Sequence, residues 1–68
     1  MINKVYKELV KAQNQCFKAG EDKLFDSCEY HLDILSEDLK KEDLKKIYIF
    51  AKDVYKIATL KNNLDPLV

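Results

Sequence analysis

The chain has no arginine; all twelve of its Lys/Arg positions are lysine. Arginine supplies the planar fork that grips guanine, phosphate or carboxylate with two hydrogen bonds, so that mode of recognition is missing. Lysine-only usage also fits the AT-rich coding of a low-GC bacterium, phage or mobile element. One glycine and one proline in 68 residues exclude a collagen-like, low-complexity or disordered chain. Neither charge is in excess, since twelve acids balance twelve lysines, so the totals give no pull toward a polyanion or a membrane surface. Two cysteines are too few for the disulfide framework of a small secreted domain. No apolar run approaches the ~18–20 residues of a membrane span. The opening stretch, MINKVYKELVKAQNQ, has polar residues every few positions where a signal peptide would be apolar. These absences predict a soluble, cytoplasmic protein.

Apolar residues make up 47% of the chain and charged residues 35%. That composition fits a single all-α domain over residues 1–68, in the size range where one core is barely sufficient. Stepping ~100° per residue, Ile2, Val5, Tyr6, Leu9, Val10, Ala12, Cys16 and Phe17 share one arc of a helix over about 2–19. Lys4, Lys7, Lys11 and Lys18 lie opposite, and Gly20 stands where a left-handed cap ends such a helix. A second helix is predicted over about 22–39, with Leu24, Phe25, Cys28, Leu32, Leu35 and Leu39 spaced by threes and fours. A third is predicted over about 42–61, with Leu44, Ile47, Tyr48, Ala51, Val54, Tyr55 and Ala58 on its main face. Asn62, Asn63 and Pro66 are expected to end it, leaving 62–68 as a tail.

No glycine or proline separates the second and third helices. The step of five from Leu39 to Leu44 nevertheless rotates the apolar arc by on the order of 100°, which argues for a turn around Ser36–Lys41. A small three-helix bundle is therefore expected. The alternative is a hairpin with one long second helix, packed as a dimer. Charge is segregated along the chain: residues 1–20 carry net +3, residues 21–42 net −5 and residues 43–68 net +2. Neighbouring helices can neutralise one another at ~0–1 kcal/mol per exposed pair, or the charge can steer a partner.

The stretch DSCEYH, residues 26–31, sets the only histidine three positions after Cys28. On a helix this spacing could offer two metal ligands, and Cys16 is the other soft donor. A hairpin folded about Gly20 would place Cys28 level with about Gln13. That is roughly 4.5 Å out of step with Cys16, before the ~8–10 Å between helix axes is added. A disulfide or shared metal is thus not expected, and Cys28 and His31 are assigned to the core wall. No metal ligand set and no cofactor are expected. A nucleophilic role for Cys28 would need a lowered pKa and solvent access, and burial supplies neither. There is no glycine-rich phosphate cradle and no second histidine. No catalytic residues are assigned, and the chain is not expected to be an enzyme.

The segment QNQCFKAGEDKLFDSCE has the outline of a helix-turn-helix, but its second helix carries Asp22, Asp26, Glu29 and Asp33, which phosphates would repel. The third helix is more informative. Phe50 and Ile57 widen its apolar arc on one flank, and Ile49 and Leu60 lie farther round, beside Lys46 and Asp53. Such residues are hard to bury against two neighbours. Tyr48, Ile49, Phe50, Tyr55, Ile57 and Leu60 are therefore the candidate partner-binding residues, with the tyrosines adding the aromatic area common at interfaces. The expected function is non-catalytic: a regulator, inhibitor or immunity-type factor that binds another protein, or a second copy of itself, through the third helix. The alternative is a nucleic-acid-associated regulator using Lys4, Lys7, Lys11, Lys45, Lys52 and Lys56. No small-molecule substrate is suggested, and no stretch carries a family signature specific enough to transfer a function.

Overall fold

Gly20 has φ +71°, a left-handed conformation that costs glycine nothing. There the Glu21 N–H donates to the Cys16 carbonyl (2.9 Å) and the Gly20 N–H to that of Phe17 (3.3 Å). These are the paired bonds of a Schellman cap, and they close helix α1 (Ile2–Ala19). The chain reverses into α2 (Asp22–Ile34), which has Asp22 in its first turn, and the third helix is α3 (Lys41–Leu64), which opens with Glu42 and Asp43. Acids at these helix starts face the positive end of the dipole. The structure is a computed structural model and describes residues 2–35 and 39–64.

The described residues form an all-α three-helix bundle without strands. Helices two and three are separate, so the hairpin with one long second helix is not adopted. Gln15 of α1 meets Asn62 of α3 at one end, while Lys4 and Val5 adjoin Leu44 and Tyr48 at the other. The long helices α1 and α3 therefore run parallel, and α2 lies antiparallel to both. The core is Val5, Leu9, Ala12 and Cys16 from α1, Cys28 and Leu35 from the α2 region, and Leu44, Ile47, Ala51, Val54 and Ala58 from α3. The small side chains Ala12, Cys16, Ala51 and Ala58 let the axes approach closely.

Two expected helix boundaries are corrected. The second helix ends at Ile34 rather than near residue 39; Leu39 is non-helical yet half-buried against the core. The apolar spacing that suggested a continuing helix is met by Leu35 and Leu39, which both lie in or against the same core. Part of the expected turn, residues 36–38, lies outside the described residues, as do Pro66 and the rest of 65–68. The third helix passes through Asn62 and Asn63 to Leu64. Asn62 does not stop it because its side-chain amide donates to the Gln15 backbone carbonyl (3.2 Å) and to Gln15 Oε1 (2.7 Å). With that amide held by α1, it does not compete for its own backbone.

The inward strip of α1 is also narrower than its apolar arc. Ile2, Tyr6 and Phe17 belong to the arc but are exposed. Two helices cover only the strip between them, and α2 is five residues shorter than α1.

Candidate functional site

Of the six residues assigned to partner binding, three share an open face. Ile49 is 59% exposed, and Ile57 and Leu60 are each 54% exposed. At ~100° per residue they span about 80° of α3, and Leu64, one heptad beyond Ile57, falls inside the same arc. Sequence reasoning missed Leu64 because it lay beyond the expected end of the helix. Ile57, Leu60, Lys61 and Leu64 line a shallow surface groove. Phe50 stands at the inner edge, half-buried, with its ring stacked on that of His31 at 4.5 Å between centroids.

The two tyrosines lie elsewhere. Tyr48 and Tyr55 are half-buried on the side of α3 that meets α1. The Lys11 ammonium sits 5.0 Å from the Tyr55 ring centre and that of Lys52 5.3 Å from Tyr48. Lys4 and Lys45 flank a pocket whose remaining lining is Val5, Leu44 and Tyr48. Four of the six candidate nucleic-acid lysines are thus grouped about two aromatic rings along the α1–α3 seam. The other two, Lys7 and Lys56, are exposed on the same helices. Phenol faces attract ammonium groups at these distances, which holds the lysines over the seam.

Acidic charge collects on α2, where Asp22, Asp26, Glu29 and Asp33 are exposed. Glu29 accepts a hydrogen bond from the Gln13 side-chain amide, tying α2 to α1. Glu21, just before α2, takes the Lys61 ammonium at 2.6 Å and ties the hairpin turn to the end of α3. Lys11 and Glu8 pair within α1 at 3.5 Å.

Cys28 and His31 point to different neighbours. The His31 ring faces Phe50 of α3, while its Nδ1–H donates to the Ser27 carbonyl at 2.7 Å. Cys28 lies in the core that α2 shares with α1, to which Cys16 also belongs. Both cysteines are fully buried and unbridged. Burial pushes the Cys28 thiol up to about 12, reinforced by Cys16 beside it. Burial also raises Cys16, partly offset by the nearby Cys28 thiol and reinforced by the Glu21 charge. At neutral pH both are thiols, without the nucleophilic thiolate. Among the described residues no three His, Cys, Asp or Glu side chains gather as a metal site would require.

Fold and surface together define a small all-α bundle with an apolar strip on α3, a lysine seam along α1 and α3, and an acidic α2. No helix among the described residues is long and apolar enough to cross a membrane. No family model matches the chain, and neither the curated proteins nor the solved structures give a match.

Proposed function

We propose that the chain is a non-catalytic helical protein that acts by binding another protein through the outer strip of α3, as a regulator, inhibitor or immunity-type factor does. The observation that carries this reading is the exposure of Ile49, Ile57 and Leu60 on one arc of a well-packed helix, continued by Leu64. Fully burying a leucine or isoleucine is worth roughly 1.5–3 kcal/mol. Covering what remains open on these residues therefore adds on the order of 3 kcal/mol, enough to anchor an interface but not to complete one. The partner is another protein or a second copy of the chain, and a cytoplasmic setting goes with the proposal. Replacing Ile49 or Leu60 by lysine should abolish association while leaving helicity intact. Variants that assemble and bind as the native chain does would show that this strip is not the contact.

A second reading, nucleic-acid association, draws support from the grouping of Lys4, Lys11, Lys45 and Lys52 about Tyr48 and Tyr55. Contacts of lysine with phosphate release counterions, so this binding should weaken steeply with salt. An electrophoretic titration with no retardation at low ionic strength would remove it.

A further inference from the structure

The outer face of α3 carries more order than a group of exposed apolar residues. Lys46, Ile49, Asp53, Lys56, Leu60 and Asn63 follow one another by threes and fours, all exposed, within about 100° of the helix. This stripe faces neither neighbouring helix. The Tyr55 side of α3 meets α1, under Lys11, and the Phe50 side meets α2 through His31. Among the described residues no ion pair occupies the Asp53 carboxylate or the Lys56 ammonium. We propose that the occupant of the stripe is the same stripe on a second copy of the chain, docked antiparallel about a two-fold axis level with the gap between Val54 and Tyr55. The proposal rests on the reading of this strip as a docking surface and names what docks there.

The stripe is self-complementary about that level. In a two-fold pair each contact occurs twice, residue i on j and j on i. Positions 49 and 60, 53 and 56, and 46 and 63 are each equidistant from the axis. Ile49 therefore meets Leu60 of the second copy, apolar on apolar. Asp53 meets Lys56 of the second copy, so two opposite-charge pairs form at the centre. Lys46 meets the Asn63 amide, whose oxygen accepts from an ammonium. Ile57 borders the stripe on the α2 side, where the second copy presents its Phe50. A parallel pairing would instead set Asp53 on Asp53 and Lys56 on Lys56, which repel. The chain carries no net charge, so two copies approach without long-range repulsion.

Spacing by threes and fours is the seam of a helix pair crossing at about 20°. With one helix from each copy, the buried area falls at or below the ~1,200 Å² lower end of standard interfaces. Such a dimer is reversible and depends on concentration. Its central ion pairs lie close to solvent, so added salt weakens it.

The test is sedimentation equilibrium of the full chain over a range of concentration, with Asp53→Lys, Lys56→Asp and Leu60→Lys compared. All three positions are exposed, and circular dichroism checks that each variant keeps its helicity. The native chain should move from one chain mass toward two as concentration rises, and Leu60→Lys should stay at one. Asp53→Lys alone, and Lys56→Asp alone, each turn both central attractions into repulsions and should weaken the dimer by about tenfold or more. An equimolar mixture of the two restores both attractions and should associate about as well as the native chain. A native chain that stays monomeric throughout would overturn the second copy as occupant; a different protein crosslinked at position 60 in cells would then leave the docking strip standing. Native-like dimers of Leu60→Lys would place the contact elsewhere and remove both. A mixture no tighter than its separate components would refute the antiparallel pairing.

Discussion

Leu9 and Leu60 carry the same side chain in opposite surroundings: Leu9 is fully buried between the three helices, and Leu60 is 54% exposed on the outside of α3. Truncating each to alanine separates core from candidate interface within one chemistry. At Leu9 the loss combines transfer of the removed atoms with a cavity that α1 and α3 cannot close, at about 3–5 kcal/mol. For a domain of this size each kcal/mol moves the melting temperature by roughly 4–8 °C, so Leu9→Ala should lower it by at least ~12 °C or leave the chain unfolded. At Leu60 less than half of the residue is covered, and the loss should stay below ~1 kcal/mol, a shift within ~8 °C. Circular dichroism during heating and urea titration, at two protein concentrations, reads both. If Leu60→Ala loses as much as Leu9→Ala whatever the concentration, Leu60 is core and the docking strip does not exist. A loss that shrinks on dilution would instead mark a second copy on the strip.

Three further outcomes follow from particular atoms. A Cβ at Gly20 would touch nothing within 4 Å, so Gly20→Ala should cost only its left-handed strain, about 1–2 kcal/mol, and Gly20→Asn less; equal urea midpoints for glycine and alanine would contradict this. Thr59 Oγ1 is buried without a hydrogen-bond partner among the described residues. Thr59→Val keeps its shape and should raise stability by about 1 kcal/mol, whereas a clear loss would mean the hydroxyl is satisfied. The thiol pair predicts an alkaline weakening. Because folding raises the Cys28 pKa, its contribution is fully present below the unfolded thiol's ~8.5 and declines as pH climbs toward about 12, by up to ~1.4 kcal/mol per pH unit. The stability gap between the native chain and Cys28→Ala should therefore narrow above about pH 9, and a constant gap would refute the burial of that thiol.

Much of the fold was legible because periodicity and one glycine carry local information. The α1 arc, the stop at Gly20, the break before Lys41 and the core identities of Leu9, Cys28, Ile47 and Val54 all follow from spacing. What was not legible depends on which neighbour covers a face. Tyr6 and Phe17 sit in the apolar arc of α1 but outside the strip that α2 and α3 cover. Tyr48 and Tyr55 lie on the main face of α3 and turn out to border α1 under lysines, whereas Ile49, Ile57 and Leu60 were recognisable as surplus from their position alone. Asn62 resembled a stop until its partner on α1 was placed.

The central claim is that the outer strip of α3 is covered by a protein in the cell. A photo-activatable phenylalanine analogue placed at position 60, with position 26 on the acidic face of α2 as the comparison, tests it directly. Irradiation in cells that carry the gene should give a discrete protein adduct from position 60 and none from position 26, and the adduct should disappear when Ile49 is also changed to lysine. No adduct from position 60, or equal adducts from both positions, would contradict the account.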